Sequence, residues 1–353
     1  MFEFTVDTPF QEIYDLPEVK PFIPYFVGKR PPVIGLPGEA TLRERNRPDP
    51  NRDIYAQCDG VNHLLRKIFN GEKILYDVYT EQEIAENPEK APVKLLYFRA
   101  DAAPTVQTDA VPTSETDAAS ASEIDAASAA KKPFALLCAG GGYGSVCSVI
   151  EGFSTAQELN ALGYPVFLLN YRVGYANLLP DPFDDLAAAI RYILANAEEL
   201  GVSAENYAVG GFSAGGHLAA EWGSDNYGYT RYGLPKPAAL FLIYPVIYSW
   251  LREGQEEAMD RIYGGHTPEV LERFAVHHHL WAGYPATFLV HCKDDPEVPV
   301  KNSLLMQEGL TGLGIPNELL LGEIGGHGFG SGRSTSAAGW TSKAAAFWKK
   351  QMR

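Results

Sequence analysis

Gly210-Gly211-Phe212-Ser213-Ala214-Gly215-Gly216 is the stretch on which the reading of this chain turns. Before it runs Asn206-Tyr207-Ala208-Val209, short, apolar and β-leaning; after it runs His217-Leu218-Ala219-Ala220-Glu221-Trp222, which has helical character. A G-x-S-x-G pattern at a strand-to-helix junction is the signature of a nucleophile elbow. The glycines have a chemical reason: the serine takes a strained backbone on a tight turn, and side chains two residues to either side would collide. The Ser213 hydroxyl is then left at the start of a helix. There, free N–H groups and the helix dipole favour developing negative charge.

A serine hydroxyl is a poor nucleophile until an imidazole removes its proton, and that imidazole needs an acid to orient it. In the architecture such an elbow implies, the chain order is serine, acid, histidine. Downstream of Ser213, a strand at 286–291 is followed by Cys292-Lys293-Asp294-Asp295-Pro296-Glu297. Asp294 and Asp295 compete for the role of acid; Asp295 is favoured, with Asp294 as a cap or loop residue. After the last strand, Gly325-Gly326-His327-Gly328-Phe329-Gly330 carries His327 in a glycine-rich loop able to bring its ring to the serine. An oxyanion hole needs backbone N–H groups aimed at the tetrahedral oxygen. Ala214, next to the nucleophile, supplies one donor, and Gly141, Gly142 and Tyr143 in Gly140-Gly141-Gly142-Tyr143-Gly144 are candidates for the other. A dinucleotide fingerprint beginning at Gly140 would need glycine or alanine at 145, where Ser145 stands.

Working outward, strands alternate with helices. Strands are expected at 134–139, 165–170, 206–209, 238–243, 286–291 and 318–321. Helices are expected at 153–162, 181–200, 300–312 and 337–351, that at 181–200 opened by an Asp181 cap with Pro182 at its first position. This alternation predicts an α/β fold with a mostly parallel sheet, helices on both faces and a site at the carboxyl ends of the strands. Residues 74–79 and 93–98 are expected to be two strands, and the polar, proline-containing link between them suits an antiparallel pair. Residues 248–283 have no regular pattern and are wide enough to form a cap beside the site.

Residues 1–72, rich in proline and arginine, form an extension expected to pack on the main α/β domain at 73–353, with a helix at 58–69. Residues 101–131 are a low-complexity insertion with a degenerate eight-residue repeat (Thr108-Asp109-Ala110, Thr116-Asp117-Ala118, Ile124-Asp125-Ala126). Their composition predicts disorder, because almost no large apolar side chain offsets the ordering entropy.

The 353 residues, 46% hydrophobic, are enough for a sizeable core. Lysine and arginine total 29 against 44 aspartate and glutamate, a net charge of −15 that argues against nucleic acid or anionic membrane as partner. No apolar run reaches the length of a membrane span and no leader is evident, so a cytoplasmic location is expected. The four cysteines lack zinc spacing, and His277-His278-His279 lacks the spacing of a metal motif, so neither a metal nor a cofactor is expected. His217 is expected to pack near the site, His63, His266 and His291 belong to no constellation, and Arg172 is expected to be a buried structural cation.

With these motifs in place, the chain resembles esterases of the α/β-hydrolase superfamily similar to acetyl xylan esterases. The matching pieces are Gly140 to Gly144, Asn170-Tyr171-Arg172, Gly211 to His217, His291 through Ser303, and Gly325-Gly326-His327-Gly328. The loop ahead of the glycines holds Cys138-Ala139, so it follows the Gly-Gly-Gly-Tyr version rather than the histidine-led one of lipases. The resemblance implies hydrolysis of short acyl esters, often acetyl groups on carbohydrates, with Ser213 as nucleophile, Asp295 as acid and His327 as base. An intracellular enzyme would meet small esters or imported acetylated oligosaccharides rather than polymeric xylan. An amide hydrolase on the same machinery is the nearest alternative, and a ligand receptor that has lost catalysis is the alternative of another class. Oligomeric state has no signal in the sequence.

Overall fold

Side chains of a β-strand alternate between faces, and the buried strand residues of this protein divide accordingly. Leu96 and Phe98 join one apolar cluster while Leu95 and Tyr97 join the other; Leu137 and Leu136, or Phe241 and Leu240, part in the same way. Both faces of the sheet are therefore covered, which is why its strands read as continuous apolar runs. The computed structural model describes residues 2–29, 36–46, 52–100, 131–248 and 256–352.

Among the described residues the sheet has eight strands, β1 (Leu75–Asp77), β2 (Lys94–Phe98), β3 (Pro133–Cys138), β4 (Val166–Asn170), β5 (Ser203–Phe212), β6 (Ala239–Ile243), β7 (Thr287–Cys292) and β8 (Asn317–Gly322). They lie in the order β1-β2-β4-β3-β5-β6-β7-β8. The β1/β2 and β2/β4 pairs are antiparallel, and every other pair is parallel. Helices Ile54–Phe69, Phe153–Ala161 and Trp340–Gln351 bury their apolar stripes on one face. Helices Asp181–Ala195, Ser213–Glu221 and Lys301–Gly312 do so on the other.

Several boundaries differ from the sequence reading for identifiable reasons. β5 runs through to Phe212 and the next helix starts at Ser213 itself, so the elbow has no connecting loop. The helix expected at 181–200 breaks at Asn196, whose backbone leaves the helical region, into Asp181–Ala195 and Ala197–Leu200. Asp181 does not cap it. Asp181 is the first helical residue, and its carboxylate is taken by Arg172 and Tyr175 instead. The region read as irregular contains helices Glu256–Tyr263 and Pro268–Arg273, the second capped by the Thr267 hydroxyl with proline at its first turn. Residues 249–255 of that region, and 101–130 of the low-complexity insertion, lie outside the described residues.

In the N-terminal segment, the helix Ile54–Phe69 is capped by Asp53, which accepts from the N–H groups of Tyr55 and Ala56. Short helices Phe10–Tyr14 and Leu42–Asn46 were not legible from periodicity, being barely a turn long. Phe4, Phe10 and Phe26 are buried in the cluster on the same face as Phe153, with the Phe26 and Phe153 rings edge to face at 5.5 Å. Gly28 exchanges two backbone hydrogen bonds with Val146, beside the Gly140–Gly144 loop. Among the described residues no helix is long and apolar enough to cross a membrane.

Candidate active site

The elbow's glycines are forced by their neighbours. A Cβ at Gly211 would lie 1.9 Å from the Gly215 carbonyl oxygen, and one at Gly215 would lie 2.1 Å from that of Cys138. Ser213 has φ +53°, a left-handed conformation that a non-glycine residue adopts at a cost of about 1–3 kcal/mol. The chain stays there because β5 is paired on both sides and the helix behind Ser213 is buried along its length.

The turn at the carboxyl end of β5 and the loops after β7 and β8 bring Ser213, Asp295 and His327 together. Ser213 Oγ lies 2.9 Å from His327 Nε2, and His327 Nδ1 lies 2.7 Å from Asp295 Oδ2. A proton on Nδ1 donated to Asp295 leaves Nε2 as the acceptor from the serine hydroxyl. The Asp295 side chain is fully buried. Burial alone would raise its carboxyl, yet hydrogen bonds from His291 and His327, the His327 charge and the Val298 N–H hold it down at about 2. Burial likewise works against the His327 imidazolium, but the Asp295 hydrogen bond and charge outweigh it and raise its pKa above the ordinary value. Asp294 turns elsewhere and accepts from the N–H groups of Gly325 and Gly326, tethering the loop that carries His327.

His291, which the sequence left without a constellation, belongs to this network. Its Nε2 stands 3.0 Å from the Val298 carbonyl and 3.2 Å from Asp295 Oδ2, while Nδ1 accepts from the Ser303 hydroxyl at 2.8 Å. The available signal was its position four residues before Asp295.

Beside Ser213 opens a cavity of about 600 Å³, lined by Gly141, Gly142, Ala214 and Val246 and by the ionisable side chains of Arg52, Glu151, Glu297 and His327. Gly141 and Gly142 have φ +133° and +59°, and a Cβ at Gly141 would strike the Ser145 carbonyl at 2.2 Å. Of the predicted oxyanion residues, Gly141, Gly142 and Ala214 line the cavity. Tyr143, whose backbone N–H is the candidate donor, has a buried side chain whose hydroxyl donates to His217 Nδ1 at 2.8 Å. His217 Nε2 in turn donates to the Phe274 carbonyl at 2.8 Å, so the glycine loop, the elbow helix and the segment after Arg273 meet at one imidazole. Glu151 and Arg52 had no motif to announce them. A lone acid inside the apolar run Val149-Ile150-Glu151-Gly152-Phe153 was the only trace of the first.

Arg172 is buried against Asp185, with its Nη2 2.8 Å from Oδ1, and also bonds Asp181. The histidines 277–279 are dispersed among Glu272, Asp225 and ring contacts. Among the described residues no group of three or more potential ligands could hold a metal ion.

Comparison with known proteins bears on this site. The family model described as BD-FAE matches residues 124–229, which include the glycine loop and the elbow. The chain is 27% identical over 220 residues to endo-1,4-beta-xylanase B of Butyrivibrio fibrisolvens, covering 60% of this chain and 34% of that protein. It is 27% identical over 201 residues to an acetylxylan esterase of Xylanibacter ruminicola, covering 55% of this chain and 40% of that protein. It thus spans less than half the length of these two curated relatives. Among solved structures, an acetyl ester-xyloside bifunctional hydrolase from Caldicellulosiruptor lactoaceticus superposes with a TM-score of 0.58 at 27% identity, covering 78% of this chain and 94% of that one. The chain has the α/β-hydrolase fold and resembles proteins of the acetylxylan esterase type.

Proposed function

We propose that this protein is a serine esterase that cleaves short acyl esters, acetyl esters of carbohydrates or small molecules foremost, through an acyl-enzyme. The observation that carries the reading is the continuous line from Asp295 through His327 to the Ser213 hydroxyl, with both bonds under 3 Å and with Ser213 and His327 lining the cavity. Similarity to an acetylxylan esterase and to an acetyl ester-xyloside hydrolase supports the ester and the carbohydrate.

In this reading His327 Nε2 takes the Ser213 proton as Oγ attacks the ester carbonyl. The resulting oxyanion is met by the N–H of Ala214 at the helix start and by N–H groups of the Gly141-Gly142-Tyr143 turn. His327, now protonated and stabilised by Asp295, gives its proton to the departing alcohol. A water then enters, loses a proton to His327 and attacks the acyl-serine; as the intermediate collapses, His327 returns the proton to Ser213 Oγ and the carboxylic acid is released. The sequence calls on no metal or cofactor. Arg52 and Glu297 make the cavity polar enough to receive a hydroxylated alcohol.

Ser213→Ala is expected to abolish turnover of short p-nitrophenyl esters and of acetylated sugars, by about 10⁴-fold or more, with the circular dichroism spectrum unchanged. Undiminished turnover in that variant would sink the mechanism. A parallel panel of amides measures the amidase alternative, and a fluorophosphonate probe, which labels only an activated serine, tests for a receptor.

A further inference from the structure

Glu151 lines the same cavity, yet the reaction above leaves it idle. It stands in a π-helical turn, Ser148–Gly152, a distortion frequent at functional sites, and is only 4% exposed. One carboxylate oxygen accepts from the Gly140 N–H at 2.5 Å, and the other accepts from the Tyr244 hydroxyl at 3.0 Å. Gly140 opens the glycine loop so close to the elbow that a Cβ there would lie 2.8 Å from the Ser213 Cβ. Tyr244, just past β6, has φ +36°, a strained backbone for a buried tyrosine. Its ring centroid is 4.8 Å from that of His327, and its hydroxyl accepts from the Gly330 N–H at 3.2 Å. A single carboxylate therefore reaches the glycine loop directly and the His327 loop through one phenol.

We propose that Glu151 is a positioning residue that holds the glycine loop and the His327 loop in register around Ser213 and places its carboxylate in the cavity that His327 also lines. The proposal rests on the esterase reading. His327 is faced by Asp295 and Glu297 from the loop after β7, by Glu151, and by Arg52, whose guanidinium lies over Gly328. Glu151 is faced by His327, Arg52, Cys147 and the phenols of Tyr171 and Tyr244. Burial pushes the Glu151 carboxyl upward, opposed by the Gly140 N–H and by His327.

Glu151→Gln preserves volume, removes the charge and leaves one acceptor oxygen for two donors. The expected result is a kcat for a short p-nitrophenyl ester lower by about tenfold or more, with KM within about twofold. The acid limb of kcat/KM should move to lower pH, because His327 loses a negative neighbour. Tyr244→Phe keeps the charge but cuts the link to Gly330, and should lower kcat with the acid limb in place. Wild-type kcat in either variant, or a fall in Glu151→Gln with an unmoved acid limb, would overturn the proposal. Should Glu151→Gln fail to fold, the kcat of Tyr244→Phe decides. Persisting turnover in Ser213→Ala would instead refute the esterase reading itself.

Discussion

Asp294 and Asp295 are neighbours in the chain with different surroundings. Asp295 Oδ1 accepts the N–H groups of Glu297 and Val298, and Oδ2 takes the His327 and His291 imidazoles. Asp294 is exposed, and its carboxylate holds the backbone of Gly325 and Gly326. Asp295→Asn is therefore expected to lower kcat by about 10⁴-fold, because the amide presents the wrong partner to Nδ1. Asp294→Asn should cost far less, and esterase assays on both variants check the contrast. A stability effect accompanies the first. Asp295 is held at about 2 against an ordinary 3.8, so its contribution is full above the ordinary value and is lost as pH falls toward 2. Thermal melts of Asp295→Asn should lack that acid-side loss.

The helix Ser213–Glu221 carries the nucleophile at one end and a buried carboxylate at the other. His217 Nε2 and Glu221 Oε1 are 3.7 Å apart and both fully buried, but they do not form an ion pair near neutral pH. Burial pushes His217 down to about 4, against the pull of its Phe274 bond, and pushes Glu221 up to about 8, with Ser224 opposing. A neutral His217 is what lets Nδ1 accept from Tyr143 while Nε2 donates to Phe274. Because the folded pKa of Glu221 lies above its unfolded 4.5, the fold loses stability as pH rises from 4.5 to about 8. Glu221→Gln should therefore melt higher than wild type at pH 8 by roughly a few degrees. The gap should close near pH 4.5, and a widening gap toward acid would refute this assignment.

On the scale of the whole molecule, the N-terminal segment and the sheet share one apolar cluster. The helix Ile54–Phe69 meets Phe153–Ala161 so closely that a Cβ on Gly60 would lie 2.5 Å from the Ser154 nitrogen. Gly60→Val should force the two helices apart and cost about 1–3 kcal/mol, read from urea unfolding. Arg52, just ahead of that helix, should shift with it, so KM for esters is expected to rise in the same variant. An unchanged KM would mean that the segment does not shape the cavity.

Much of this architecture was legible because local chemistry dictates it. The alternation of buried strands and amphipathic helices predicts a covered parallel sheet, and G-x-S-x-G at 211–215 has few uses other than a tight strand-to-helix turn. The order of Ser213, Asp295 and His327 marks where loops from three strand ends must meet. What stayed hidden depends on contacts between residues far apart in the chain. Glu151 earns no notice until Gly140 and Tyr244 close around it, Arg52 until the N-terminal segment docks, and His291, on β7, until the loop after that strand brings Asp295 back to it. The sequence by itself thus determined the class of fold and the candidates for chemistry, since periodicity and turn geometry are properties of neighbouring residues. Only the tertiary structure decided which aspartate faces His327 and which carboxylate braces the glycine loop, since hydrogen bonding and burial depend on distance in space, not along the chain.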